Sequence, residues 1–308
     1  MTPYPRAVPT IAVVIPAYNA AAWIDETLES VFAQTRPADE VIVVDDGSTD
    51  ATAERVRVWA PRGVELLTQA NGGPPAAYNA GFDAARTEYV AMLPADDVWD
   101  PRKLEWQAEA IAEFPEADVL FGRSRSFGDA DDLHPHPGRG GLQEHASFLR
   151  EMYAADLIPA PTAIVRRRLH QELGRFDETL PSEDYEFWLR ALRAGARFFY
   201  DERELVRQRM HGGNVSHRAL SIWEMNYRLR CDYAPDVADP ELTARLTAGD
   251  LREIARCRFG AEQLGGARDA YRASLGRRAS AEAAVGAALL AVGPVARALN
   301  AINRRRRR

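Results

Sequence analysis

Four short apolar runs punctuate the first hundred positions: Ile11-Ala12-Val13-Val14-Ile15, Val41-Ile42-Val43-Val44, Val64-Glu65-Leu66-Leu67 and Tyr89-Val90-Ala91-Met92-Leu93. Their length and β-branched content predict buried strands, the first closed by Pro16 and the second starting at Glu40. Between them, spacing near 3.6 residues predicts helices over 20–34, 52–59 and 74–85, the first with Ile24, Leu28, Val31 and Phe32 on one face. Strands alternating with helices imply an α/β fold whose parallel sheet has right-handed crossovers.

Beyond Phe127 the pattern is less regular. Residues 128–141 are rich in Asp, Gly, His and Pro and read as a loop, with helices predicted over 146–153 and 167–173. Glu183-Asp184 opens an amphipathic helix that turns Phe187, Trp188, Ala191 and Leu192 inward and ends at Gly195. From about Leu220 the chain reads as a separate helical region, over 223–232, 240–259 and 261–275. The domain division expected is therefore 1–218 and 219–308. The apolar run 283–296 contains Pro294 and is too short to span a bilayer. Arg304 to Arg308 follows it. Two readings of that tail stand: peripheral contact with an anionic membrane face, or a solvated end.

Composition narrows the class. The 308 residues are 46% hydrophobic and 27% charged, ordinary for a soluble globular protein, and suffice for one large α/β domain plus an appendage. A net charge of -6 argues against nucleic acid as a partner. Cys231 and Cys257 stand far apart, which indicates neither a disulfide framework nor a zinc site and fits a reducing cytoplasm. Pro3, Pro5 and Pro9 make the lead-in unlike a secretory signal core.

Candidate chemistry lies where the strands end. Pro16-Ala17-Tyr18-Asn19, Asp45-Asp46-Gly47-Ser48, Asn71-Gly72-Gly73 and Asp96-Asp97 all follow strands, and such loops converge on one crevice in an open α/β sheet. In isolation Asp45-Asp46 reads equally as a ligand-binding pair or as a cap for the next helix. Four crowded carboxylates raise one another's pKa unless a cation neutralises them, and a hard divalent ion such as Mg2+ suits oxygen ligands and a diphosphate.

Taken together, Val14-Ile15-Pro16-Ala17-Tyr18-Asn19, Asp45-Asp46-Gly47-Ser48, Asn71-Gly72-Gly73 through Asn79-Ala80-Gly81, Leu93 to Trp99, Gly174 to Glu178 and Glu183 to Arg190 resemble the inverting glycosyltransferases of family 2. The resemblance spans roughly residues 10–218 and implies a GT-A fold: a mainly parallel central sheet flanked by helices, here with a C-terminal helical extension. It implies a nucleotide-sugar half over about 10–125 and an acceptor half over about 126–218. It further implies that Pro16 and Tyr18 line the base pocket, that Ala17 and Asn19 beside them help bind the nucleotide sugar, and that Asp46 or Asp45 accepts a hydrogen bond from a uracil or thymine ring. Asn71, Gly72, Tyr78 and Asn79 would lie near the nucleotide, and Asp96 near ribose and metal. Asp97, with Asp96 and His211, would hold Mn2+ or Mg2+, and Asp184, with Glu183 beside it, would be the general base.

The implied activity is transfer from a UDP- or dTDP-sugar to a hydroxyl of a glycan or lipid-linked acceptor, in surface polysaccharide assembly at the cytoplasmic side. Two departures from the family pattern stand out. Pro94 occupies a place where relatives commonly carry an acidic residue, and Tyr78 one where they often carry arginine. These keep a nucleotide-sugar-binding protein with little turnover as the alternative. A dinucleotide-dependent oxidoreductase is disfavoured, because no G-x-G-x-x-G follows the first strand.

Overall fold

The runs at 11–15, 41–44 and 89–93 form strands buried on both faces of a sheet. In the computed structural model, which describes residues 8–128, 136, 138–182, 184–211 and 219–291, β1 (Ile11–Ala17) lies between β2 (Glu40–Asp45) and β4 (Tyr89–Met92), and β3 (Val64–Thr68) lies outside β2, all parallel. Helices α1 (Ile24–Phe32), α2 (Thr52–Val58) and α3 (Pro74–Ala84) make the crossovers. Pro16 does not end β1. The Val14 carbonyl accepts from the Leu93 N–H on the β4 side, so Pro16 faces that same side, where pairing with β4 has already stopped at Met92, and its missing N–H costs nothing.

The rest of the mainly parallel sheet includes antiparallel pairing. After β5 (Val98–Trp99) and α4 (Lys103–Glu113) come β6 (Val119–Gly128), β7 (Gly141–Leu142), α5 (His145–Ala154), β8 (Ile164–Arg166), α6 (Arg167–Leu173), α7 (Asp184–Arg193) and β9 (Phe198–Met210). The strand order is β3-β2-β1-β4-β8-β6-β9-β5, with β7 on β9. Strand β8 runs antiparallel to both β4 and β6, so the sheet is mixed beyond β4. Long β6 and β9 pair in parallel through a register shift at Gly122–Ser124.

One close approach fixes the first half. A Cβ on Gly81 would stand 2.2 Å from Cγ1 of Val14, so α3 rests directly on β1 only because that residue is glycine. Val13, Ile15, Val43, Leu28 and Leu104 are among the buried side chains of this core.

The chain divides into two compact units, Met1–Asn214 and Val215–Arg308. The second contains α8 (Ala219–Val237), α9 (Pro240–Gly260), α10 (Leu264–Arg277) and α11 (Ala281–Ala291). Its core is Leu251, Ile254, Ala255 and Ala270, and Arg230 and Asp250 form a buried ion pair. Asp239 caps α9, accepting from the Leu242 N–H at 2.9 Å, and Pro240 opens the helix. Among the described residues no helix is long and apolar enough to cross a membrane. Arg304 to Arg308 lie outside the described residues.

Candidate active site

The carboxyl ends of β1, β2 and β3 meet the start of α3, and Asp46 joins them. Its Oδ1 accepts from the Gly72 N–H at 2.9 Å and from Gln69 Nε2 at 2.8 Å, while Oδ2 accepts from the Gly73 N–H at 2.8 Å. The carboxylate therefore sits on the N-terminus of α3, where the helix dipole favours an anion. Pro74 and Pro75 supply no N–H there, so the two glycines carry the contact. Gly47, at φ 75°, has its backbone so close to this loop that a Cβ would stand 2.9 Å from the Asn71 nitrogen. Asp45 Oδ1 accepts from the Ser48 N–H at 3.1 Å and closes the turn. Both carboxylates are buried, so the pair first builds the corner. Three of about four acceptor positions on Asp46 are already used.

The opposite wall is the β1–α1 loop. Asn19, in left-handed conformation at φ 50°, accepts from the Thr49 N–H at 2.8 Å and donates its own N–H to Ser48 Oγ at 3.0 Å. Tyr18 projects beside it with 52% of its surface exposed, and Asn71 and Gly72 are exposed across the corner. Pro16 is partly exposed, whereas Ala17 is buried.

Two expected nucleotide contacts lie beneath the site instead. Tyr78 and Asn79 are each 1% exposed, which leaves them no surface to offer a ligand. The two ends of the Asn79 amide are consumed: Nδ2 donates to the Phe176 carbonyl (3.0 Å) and Glu178 Oε1 (2.9 Å), and Oδ1 accepts from the Phe176 N–H (2.9 Å) and lies 3.0 Å from His170 Nε2. His170 is packed against Phe82, Phe176 and Phe187, and burial pushes its pKa down to about 4. It is then neutral near pH 7 and donates its Nε2–H to Asn79. Tyr78 packs against Phe176. Asn79 is thus the fastener of the 174–178 loop.

That loop leads to the expected base. Arg190 on α7 donates to the carbonyls of Leu173 (2.7 Å), Gly174 (2.9 Å) and Arg175 (3.0 Å) and pairs with Glu186. The motif from Asp184 to Arg190 therefore locks its helix to the loop that Asn79 holds. Asp184 is the first residue of α7, half-buried, and its Oδ1 accepts from Ser182 Oγ (2.7 Å) and the Tyr185 N–H (2.9 Å). Burial raises its pKa above the ordinary carboxylate value, outweighing those hydrogen bonds. Glu183 lies outside the described residues.

At the end of β4 the expected metal ligands separate into two layers. Asp96 Oδ2 meets His211 Nε2 at 2.9 Å, both partly exposed. Asp97 is 1% exposed behind them: Oδ1 accepts from the Arg209 N–H at 2.8 Å, and buried Oδ2 has no hydrogen-bond partner. Burial, and then the Asp96 charge, push the Asp97 pKa well up. Among the described residues no three His, Cys, Asp or Glu side chains converge on a cation position. Of the three expected ligands, Asp96 and His211 meet, while Asp97 is turned inward, where its Oδ1 holds the main chain of β9. The pair still fits a divalent ion: a carboxylate and an imidazole suit Mn2+, with diphosphate oxygens and water completing the shell. Beside the pair, the buried Asp97 Oδ2 is a polar atom without a hydrogen-bond partner.

Sequence reasoning missed the surroundings of this pair. Arg209 Nε donates to the Asp96 carbonyl at 3.0 Å, its Nη2 pairs with Glu26, and its guanidinium lies over Trp23 (4.6 Å) and Phe127 (4.5 Å). Trp23 also stacks on His211, with centroids 5.5 Å apart. Glu26 and Trp23 stand more than 180 residues before Arg209 and carry no local signal.

Comparison with known proteins decides the family. The model of glycosyl transferase family 2 matches residues 12–174, just over half of the chain, and that of glycosyl transferase family group 2 matches residues 147–220. The chain belongs to glycosyl transferase family 2. This glycosyltransferase is 35% identical over 240 residues to the succinoglycan biosynthesis protein ExoO of Rhizobium meliloti, covering 74% of this chain and 68% of that one. Its fold is similar to S. aureus TarS residues 1–349 in complex with UDP-GlcNAc, at TM-score 0.65 and 22% identity, over 96% of this chain and 89% of that one. It is also similar to the Pyrobaculum calidifontis mannosyltransferase PcManGT in complex with GDP-Man and Mn2+, at TM-score 0.59 and 20% identity, over 96% and 84%. The transferase has the GT-A fold of these structures, and its chain ends in the helices α8 to α11.

Proposed function

We propose that this transferase is a metal-dependent inverting enzyme that moves a sugar from a UDP- or dTDP-sugar to a hydroxyl of a glycan or lipid-linked acceptor, in the assembly of a surface polysaccharide. The observation that carries this reading is the Asp96–His211 pair, which brings the ends of β4 and β9 together at the sheet edge that also bears the Asp46 corner. The resemblance to ExoO supports the polysaccharide assignment, and the TarS and PcManGT complexes support a nucleotide-sugar donor and a divalent ion.

The donor nucleoside is assigned to Tyr18, Asn19, Asn71, Gly72 and the partly exposed Pro16, with Asp46 holding the corner rigid. A divalent ion bound by Asp96 and His211 would supply charge neutralisation for the departing nucleoside diphosphate. Asp184 takes the proton of the acceptor hydroxyl as its oxygen bonds the anomeric carbon and the bond to the diphosphate breaks. One displacement inverts that carbon and requires one protein base. The raised pKa of Asp184 makes it a stronger base than an ordinary carboxylate. Residues 10–125 are assigned to the donor and 126–218 to the acceptor. The cytoplasmic side of a membrane is where a lipid-linked acceptor and Arg304 to Arg308 would meet.

A panel of nucleotide sugars tests this, scored for binding, hydrolysis and transfer with Mn2+, Mg2+ or chelator. The expected result is preference for a uridine or thymidine donor and loss of turnover on chelation. Full turnover in chelator would refute the metal assignment. Donor binding without hydrolysis or transfer under any condition would favour the binding-protein reading.

A further inference from the structure

We propose that Arg209 and Trp23 form a positioning device that holds Asp96 and His211 toward the cation and the donor diphosphate. The proposal rests on the reading of Asp96 and His211 as the cation-holding pair, and it assigns roles to two residues outside that pair.

The geometry carries it. Asp96 lies in a loop at the carboxyl end of β4, and His211 follows the last residue of β9, so neither is fixed by regular secondary structure. Arg209 supplies the missing constraint from three directions. Its main-chain N–H anchors Asp97 at 2.8 Å, its Nε holds the Asp96 carbonyl at 3.0 Å, and its Nη2 pairs with Glu26 on α1. A guanidinium is a planar fork that stacks on aromatic faces while it hydrogen-bonds in its plane. Here it stacks on Trp23 and Phe127, at 4.6 and 4.5 Å. The same indole carries the His211 ring, inclined by 22°. Thus the carbonyl of Asp96 and, through His211, its carboxylate are both tied to Trp23, just before the first turn of α1.

The arrangement also says what Arg209 does not do. Its side chain is only 14% exposed, and its Nε and Nη2 are directed to Asp96 and Glu26. It is therefore a positioning residue and not a diphosphate ligand. Groups that orient metal-binding side chains typically contribute about 10- to 100-fold to metal affinity. Lysine cannot replace the fork, because one ammonium cannot reach both oxygens and cover two rings.

The test uses the full chain and the variants Arg209→Gln, Arg209→Lys, Trp23→Leu and Trp23→Phe. Three readouts are needed: the His211 ring signal in the metal-free NMR spectrum, assigned with His211→Gln; Mn2+ affinity without donor, from the EPR signal of free Mn2+; and UDP affinity in chelator. Arg209→Gln and Trp23→Leu should move the His211 signal and weaken Mn2+ binding by about 10- to 100-fold, with UDP affinity in chelator unchanged. Arg209→Lys should fall in between, and Trp23→Phe, which keeps a ring under His211, should stay close to wild type.

An unmoved His211 signal and wild-type Mn2+ affinity in Arg209→Gln would overturn the proposal. So would loss of UDP affinity in chelator, which would make Arg209 a nucleotide contact. Wild-type protein that binds no Mn2+ either alone or with UDP would instead refute the metal assignment, and the His211 signal would then decide the positioning role alone.

Discussion

Asn79 separates two accounts of the same residue, because the sequence motif places it near the nucleotide while the structure places it under the site. Asn79→Ala removes an amide that serves the Phe176 N–H and carbonyl, Glu178 and His170. Phe176 and His170 are each 2% exposed, so water does not replace the lost partners. An unsatisfied buried polar group costs about 1–3 kcal/mol, and partial relaxation puts the sum at roughly 3–5 kcal/mol. Urea unfolding followed by tryptophan fluorescence measures this, and calorimetry with UDP measures donor affinity on the protein that remains folded.

Asn79→Asp is the companion. It keeps the acceptor for Phe176 and His170, loses both donations, and sets a carboxylate beside His170, whose pKa then rises from about 4. In the wild type that depressed pKa means stability is present above the ordinary histidine value of 6.5 and is lost as pH falls from there toward 4, since only the unfolded chain takes up the proton readily. Asn79→Asp should flatten that acid limb. A loss under about 1 kcal/mol in Asn79→Ala, together with weakened UDP binding, would refute the structural role.

Two further outcomes are expected. Gly81→Ala drives a Cβ to 2.2 Å from Val14 and should cost about 1–3 kcal/mol in unfolding free energy, whereas wild-type stability would show that α3 does not rest on β1 as described. Replacing Arg304–Arg308 with alanine should reduce flotation with anionic vesicles at low salt, because each arginine near such a surface contributes about 1 kcal/mol; equal flotation of both proteins would remove membrane contact.

What could be read from the chain follows from where each strand sits. Strands β1, β2 and β4 are buried on both faces and so appear as uninterrupted apolar runs. Strand β6 instead alternates Arg123, Arg125 and Phe127 with buried Gly122, Ser124 and Ser126, a code of small residues and arginines that hydrophobic periodicity does not register. Strand β9 carries Asp201 to Glu204 through its bulged middle and reads as polar. Strand β8 is three residues long, and nothing local announces that it enters antiparallel between β4 and β6.

The candidate site divides the same way. Asp46, Asp96, Asp184 and His211 stand in recognisable motifs. The anchoring of Asp46 to Gly72 and Gly73 depends on contacts 26 and 27 residues away. The inward turn of Asp97 depends on Arg209, 112 residues on. Spacing along the chain does not report such partners. The burial of Asn79 and Tyr78 also comes from the third dimension, through Phe176 and its aromatic neighbours.

The central claim is that Asp184, with a pKa raised by burial, accepts the proton of the acceptor hydroxyl. Because the base acts only when ionised, transfer by the wild type should fall as pH drops through that raised pKa. The most direct measurement compares wild type and Asp184→Asn for donor affinity and for the pH profile of sugar transfer, once the panel has identified a donor and an acceptor. The account predicts unchanged donor affinity, a rate lower by about 10²–10⁴-fold, and loss of the acid limb. Transfer by Asp184→Asn at the wild-type rate, with the acid limb intact, would contradict it.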